Sequence, residues 1–298
     1  MIKTWSMPVS NGKSEQIPCA CCGNLLFKPA LTCEGFSFVR CKSCSLVQRN
    51  PQPLPEEITA RYRDTFGNDY LSYELENEKA FLNLQQLALS DAGFYKIEKK
   101  LFAAAGYQSE CEMPSLLDVG CATGALLSSL RDNRLHGCQW RVTGAEISPC
   151  AQYARDTRKL DVRDVPLENC NFPGASFDVV LASHLIEHLN DPKSFLAETY
   201  RILKNNGFCF ITTPNISGFQ AHLFGNSWRS AIFDHLYLFS AHTLSIMLKD
   251  AGFKIESVKT WGGLAAGAAP KPLKKAADFL AKHLGFGDVM IIRGKKPE

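Results

Sequence analysis

“LLDVGCATGALL” (residues 116–127) joins a short apolar run, ending in an acidic residue, to a loop with glycines at 120 and 124 and then to helix-forming residues. A strand that passes through such a loop into a helix brings backbone N–H groups up to a ligand. Outward from it, apolar runs alternate with helical periodicity. Strands read at “SLLDVG”, “WRVTGAEI”, “KLDVRDV”, “FDVVLAS”, “GFCFITT”, “KIESVKT” and “DVMIIRG”. Helices read at 123–133, 149–157, 191–203 and “SAHTLSIMLKDAGF”, the last with Ser240 as N-cap and Gly252 as its stop. This alternation predicts an α/β fold with a doubly wound, mostly parallel, seven-stranded sheet. In such sheets the ligand lies beyond the carboxyl ends of the strands, so the chemistry is sought there.

A second pattern precedes the sheet. “CACCGNLLFKPALTCEGFSFVRCKSC” (19–44) holds Cys19-x2-Cys22 and, eighteen residues on, Cys41-x2-Cys44. That spacing matches a tetrahedral zinc site in which two tight turns each present two thiolates. The short runs between the pairs can pair as strands, which makes the segment a zinc ribbon. Four thiolates close the coordination sphere, so the zinc is expected to be structural. The alternative, a redox dithiol, is disfavoured because two such pairs occur together with no βαβ unit around them. Cys21 and Cys33 are left over. The expected organisation is a ribbon over 1–50, a proline-rich linker and helices over 51–109, and the sheet domain over 110–298 with an aromatic cap at 215–239. Tyr62, Tyr70 and Tyr73, in the helical stretch, either line a ligand site or pack onto the sheet domain, and packing is the preferred reading.

The totals exclude several classes. Across 298 residues, 33 Lys and Arg face 30 Asp and Glu, a net charge of +3 that lacks the basic stripe of a dedicated nucleic-acid binder. No stretch approaches the roughly 20 apolar residues that cross a bilayer, and no membrane span is expected. The start, “MIKTWSMPVSNGKSEQ”, has no apolar core of a secretory signal, so the expected location is cytoplasmic.

The strand ends narrow the ligand. Glu146 lies 22 residues past Gly124, where a carboxylate can accept both hydroxyls of a ribose. A dinucleotide and S-adenosylmethionine both carry that ribose, and “GCATGA” alone does not separate them. Asp118 does: two residues before Gly120, its carboxylate would repel a pyrophosphate and attract an ammonium or sulfonium. That favours S-adenosylmethionine.

“LLDVGCATG”, “VTGAEISP”, “FPGASFDVVLASHLIEHLNDP” and “GFCFITTPN” resemble, in order and spacing, the motifs of class I S-adenosylmethionine-dependent methyltransferases with a Rossmann-like sheet. The ribbon and “FGNSWRSAIFDHLYLFSAHTLSIMLKDAGF” are similar to a bacterial branch that modifies sugars, polysaccharides, lipids and secondary metabolites. The resemblance implies methyl transfer to oxygen or carbon of a small molecule. It puts Asp118, Gly120, Ala122 and Gly124 in the cofactor loop, Glu146 on the ribose and Leu167 near the adenine, where Pro166 replaces the acidic residue often found there. Cys121, Ile147 and Ser183 complete the expected cofactor set, Cys121 as a space-filler. Three histidines compete as base, His184 and His188 after the fourth strand and His235 in the aromatic segment, and Glu187 either orients one of them or caps the next helix. An RNA methyltransferase that grips nucleic acid with the ribbon is a competing reading, opposed by the weak charge and by the lack of an “NPPY”-like motif. A non-catalytic binder of the cofactor is another, opposed by the intact loop and Glu146.

Overall fold

The computed structural model describes residues 13–65, 67–105, 113–133, 138–262, 279, 281–282 and 285–298. Strands β1 (Ser14–Glu15), β2 (Phe27–Cys33), β3 (Phe36–Cys41), β4 (Val47–Arg49) and β5 (Gln52–Pro53) come first. Helices α1 (Pro55–Ala60), α2 (Gly67–Asp91) and α3 (Phe94–Ala105) follow, with a π-helical turn at Arg61–Thr65. The rest runs β6 (Ser115–Val119), α4 (Ala125–Asp132), β7 (Arg141–Ala145), α5 (Cys150–Arg158), β8 (Val162–Arg163), β9 (Phe177–Ser183), α6 (Pro192–Ile202), β10 (Leu203–Pro214) and α7 (Phe219–Phe224). It closes with β11 (Tyr237–Leu238), α8 (Ala241–Asp250), β12 (Lys254–Trp261) and β13 (Val289–Lys295).

Seven strands form one sheet in the order β12-β13-β10-β9-β6-β7-β8. Pairings from β10 to β8 are parallel, and β13 runs antiparallel to both β10 and β12. The doubly wound, mostly parallel, seven-stranded sheet expected from the alternation is therefore present, a Rossmann-like sheet with one reversed strand. All five residues of β6 are buried, because helices cover both faces and a central parallel strand has no polar side to show. Successive residues of β9 serve opposite faces. Val180 and Ala182 join Leu196, Leu244 and Met290 on one side, and Val179 and Leu181 join Leu126, Ala151 and Phe94 on the other. The chain leaves β6 toward β7 on one side and returns to β9 on the other, which opens a crevice at their carboxyl ends.

Local chemistry sets most boundaries. The Ser240 side chain accepts from the Thr243 N–H while Thr243 Oγ1 accepts from the Ser240 N–H, a reciprocal cap on α8. Asp191 caps α6 by accepting from the N–H groups of Lys193 and Ser194. β10 begins at Leu203, earlier than the sequence places it. The residues “KNNG” form a bulge between Leu203 and Phe208, with Asn206 at φ 64°.

The amino-terminal strands do not stand apart from the sheet domain. β2, β3 and β4 pair antiparallel, and β11, from the aromatic segment, adds a fourth strand through Tyr237↔Gln48 and Leu238↔Val47. Cys19, Cys21, Cys41 and Leu46 share a core with Leu196, Tyr237 and Phe239. Trp228, Phe233, Tyr237 and Phe239 are buried, whereas Phe219 and Phe224 are exposed. Among the described residues no helix is long and apolar enough to cross a membrane.

Candidate functional site

The loop after β6 takes positive φ at Gly120 (72°) and Gly124 (74°), which glycine allows, and also at Ala122 (46°), a conformation that residues with a side chain rarely adopt. A Cβ on Gly124 would meet Leu160 Cδ1 at 2.5 Å, so glycine is required there by space as well as by conformation. Gly124 opens α4, and the Gly120 N–H donates to the Ala145 carbonyl at 2.8 Å, tying the loop to the end of β7. From that end Glu146 reaches back, accepting from the Ala122 N–H at 3.0 Å through Oε2 and from the Ser148 N–H at 2.8 Å through Oε1. Cys121 is buried and packs against Gly144, where a Cβ would meet its Sγ at 2.7 Å.

Asp118 is 2% exposed, and no hydrogen bond to its carboxyl is found among the described residues. Burial, with the Glu146 charge adding to it, pushes it up to about 8. Ile147 is half-buried beside Glu146, Leu167 is buried at the start of a short turn after β8, and Ser183 is half-buried at the end of β9. The sequence-predicted loop residues Asp118, Gly120, Cys121, Ala122, Gly124 and Glu146 therefore converge at the carboxyl ends of β6 and β7.

The three histidines surround one carboxylate. Glu187 is fully buried, and its Oε2 accepts from Thr213 Oγ1 at 2.9 Å. Burial alone would raise it, yet His184 first and then His188 and His235 outweigh burial and bring it down to about 2. His184 sits at φ 52° with its side chain 50% exposed, Nδ1 3.3 Å from Glu187 Oε1. His188 Nδ1 lies 2.9 Å from Tyr62 Oη and 3.0 Å from the Asp234 carbonyl. His235 Nδ1 lies 2.7 Å from the Ser230 carbonyl, and its ring meets that of His188 edge-on with centroids 4.7 Å apart. Burial, with the neighbouring His188 charge, lowers His235 to about 3, which keeps it neutral. The helix cap expected as one role of Glu187 belongs to Asp191.

α2 and the turn before it form a wall for which the sequence reading preferred packing over a ligand-lining role. Tyr62 bonds His188, and burial, aided by the Glu146 charge, pushes Glu74 up to about 7. Glu78 accepts from Thr123 Oγ1 at 2.8 Å and from Arg158, binding α2 to the glycine loop. The missed signal was the placement of Tyr70, Glu74 and Glu78 at i, i+4 and i+8, one face of a helix. Behind His235, Asp234 pairs with Arg61 at 2.9 Å, both nearly buried, and the Arg49 and Arg61 guanidinium groups lie 3.8 and 4.7 Å from the Phe233 ring centroid.

The four cysteines Cys19, Cys22, Cys41 and Cys44 bring their sulfurs within 4.8 Å of one another, with Cys19 to Cys44 at 3.4 Å and Cys22 to Cys41 at 3.5 Å. Two similar turns present them: the Gly23 N–H donates to the Cys19 carbonyl, and the Ser45 N–H to the Cys41 carbonyl. Gly23 and Ser45 both take positive φ. Cys21 is buried in the shared core, and Cys33 lies near the carbonyls of Asn226 and Ala231.

A family model described as “Methyltransferase domain” matches residues 39–258. A “Probable S-adenosylmethionine-dependent methyltransferase” of Mycolicibacterium smegmatis is 31% identical over 149 residues, covering 49% of this chain and 54% of that protein. The chain thus spans about half the length of that relative. A demethylmenaquinone methyltransferase of Chlorobaculum tepidum is 26% identical over 208 residues, covering 69% and 78%. Among solved structures, a SAM-dependent methyltransferase from Thermotoga maritima matches with a TM-score of 0.47 at 23% identity, covering 73% of this chain and 96% of that one. With well over half of its length matched by the family model, the chain belongs to the methyltransferase-domain family, and its sheet is the Rossmann-like one expected of class I S-adenosylmethionine-dependent methyltransferases.

Proposed function

We propose that the protein transfers the methyl group of S-adenosylmethionine to an oxygen or carbon of a small acceptor, a sugar, lipid or secondary metabolite, with His184 as the base. The observation that carries the acceptor side is a half-exposed imidazole set beside a buried, ionised carboxylate at the end of β9. Bound S-adenosylmethionine supplies an activated methyl on a sulfonium leaving group. Asp118, buried and with no hydrogen bond to its carboxyl among the described residues, takes its ammonium, and Glu146 takes the ribose hydroxyls. Gly120, Ala122 and Gly124 admit the ligand close to the backbone, Cys121 fills space behind them, and Ile147, Leu167 and Ser183 border it. Tyr62, from the turn before α2, and Tyr70 and Glu74, from α2 itself, close the crevice.

The chain's own task is alignment and proton removal, because the sulfonium already leaves readily. Glu187 stabilises the imidazolium that His184 becomes on taking the acceptor's proton. His188 and His235, bonded through Nδ1 to main-chain carbonyls, hold the floor of this site.

Cys19, Cys22, Cys41 and Cys44 hold a structural zinc ion. Their geometry supports this, since zinc–sulfur bonds of about 2.3 Å set tetrahedral sulfurs roughly 3.8 Å apart.

A methyl-transfer screen with labelled cofactor identifies the acceptor. His184→Asn, which tolerates the positive φ, should lower kcat by about 10²–10⁴ and leave cofactor affinity unchanged. Unchanged turnover would remove His184 from the chemistry.

A further inference from the structure

Glu187, His188 and His235 form a second cluster of ligand-type atoms, separate from the cysteines. One such atom from each lies within 4.8 Å of the others, and they sit at the end of β9 and in the aromatic segment. We propose that these three side chains bind a divalent transition-metal ion of the zinc class.

The bonding around the cluster carries the argument. A main-chain carbonyl can only accept, so the contacts of His235 Nδ1 with the Ser230 carbonyl and of His188 Nδ1 with the Asp234 carbonyl put the protons on Nδ1, and Tyr62 Oη, 2.9 Å from the same His188 nitrogen, is then a second acceptor rather than a donor. Each Nε2 then keeps its lone pair. Metal-bound histidines are held in just this tautomer by donating their other ring N–H to a carbonyl. On the carboxylate, Oε2 is engaged by Thr213, while Oε1 is buried with no hydrogen-bond partner. Its contact with His184 Nδ1, at 3.3 Å, lies outside hydrogen-bond geometry and leaves that oxygen able to bind an ion. No hydrogen bond joins the three side chains to one another among the described residues. A fully buried carboxylate oxygen left without a donor is costly, and a cation removes the cost.

Two imidazoles and one carboxylate favour zinc, iron(II) or cobalt over magnesium or calcium, which prefer all-oxygen sites. Bonds of about 2.1 Å place ligand atoms roughly 3–3.5 Å apart, within a side-chain adjustment of the present arrangement. Three protein ligands also leave coordination positions open for an acceptor oxygen, a use that rests on the methyl-transfer reading; the metal site itself does not.

The test is metal content of the full-length protein, equilibrated with zinc and then dialysed. Two zinc ions per chain are expected, with one lost in His235→Gln and in Glu187→Gln and the other lost in Cys41→Ser. A single zinc that disappears in Cys41→Ser, or the same zinc content in His235→Gln, Glu187→Gln and wild type, overturns the proposal. Cobalt loading of the wild-type protein guards against variants that fail to fold. Weak visible bands of a nitrogen- and oxygen-ligated ion should appear beside the intense sulfur-to-cobalt bands, and sulfur-ligated cobalt alone refutes the site. Neither measurement depends on methyl transfer, so failure of the metal site and failure of the activity are told apart.

Discussion

Replacing Glu146 by Gln tests the ribose assignment with little change of shape. Its carboxylate already accepts from the N–H groups of Ala122 and Ser148 at 3.0 and 2.8 Å, so it is fixed before any ligand arrives. Hydrogen bonds to a charged acceptor contribute about 1.5–3 kcal/mol each, against about 0.5–1.5 for neutral pairs. The amide keeps one oxygen and turns the other acceptor into a donor, so one ribose bond is weakened by about 1 kcal/mol and one of about 2 kcal/mol is lost, together about 3 kcal/mol. That predicts roughly 150-fold weaker binding of S-adenosylmethionine, measured by titration calorimetry against wild type at one pH. The same change sets the amide NH2 against a main-chain N–H, so a loss of about 1–3 kcal/mol in unliganded stability should accompany it. Affinity within threefold of wild type would refute the assignment. If stability also fell, Glu146 would be a brace for the glycine loop and nothing more.

Asp118 should link cofactor binding to pH. Its carboxyl is raised from 3.8 to about 8, so its contribution to unliganded stability is full below pH 3.8 and is lost as pH rises through 8. A cationic ligand needs the ionised form, so affinity should rise toward pH 8 and binding at pH 7 should release close to one proton. Equal calorimetric heats in buffers of different ionisation enthalpy would refute this, and Asp118→Asn should abolish the release. Arg61→Ala leaves Asp234 charged in a site only 5% exposed, and a loss of about 3–5 kcal/mol is expected in the denaturant midpoint. An unchanged midpoint would show the pair to be inert. Cys41→Ser should abolish one bound zinc and lower turnover more than cofactor affinity; an equal fall in both would contradict the separation of the two regions.

The sheet was legible because its strands announce themselves. Buried parallel strands such as “SLLDV” and “FDVVLAS” read as apolar runs, and helix signals such as Ser240 and Gly252 sit where capping physics demands them. The glycine loop and Glu146 were legible for the same reason, since their spacing follows the chain from one strand end to the next. What escaped was everything brought in from a distance. Tyr62 meets His188 across 126 residues, and Asp234 meets Arg61 across 173, and no local pattern encodes such pairs. Glu187 offered two readings, orienting a histidine or capping the next helix, and local sequence could not separate them because Asp and Glu near a helix start commonly cap. Only the packing of β10, which supplies Thr213, shows that it turns inward instead. The β10 bulge escaped because “NNG” favours turns and bulges alike.

The same long-range pairings explain why a cysteine cluster remote from the glycine loop bears on chemistry. Gln48 of β4 is tied to the cysteine-bearing segment by bonds to the Ala20 N–H and the Pro18 carbonyl, both at 3.1 Å. On its other side β4 pairs with β11, and the N–H of Arg49 and the side chain of Gln52 both donate to the Leu236 carbonyl. The Leu236 N–H in turn donates to the main-chain carbonyl of Glu187 at 2.8 Å. A continuous hydrogen-bonded path therefore runs from the cysteines to the segment that carries His235 and to the turn that carries Glu187. Asp118 and Glu146 take their positions from β6 and β7 of the seven-stranded sheet, whereas that path runs through β4 and β11 of the four-stranded one, and they need no help from it. Loosening the cysteine-bearing strands should thus displace the groups proposed to act on the acceptor before it disturbs those proposed to hold the cofactor.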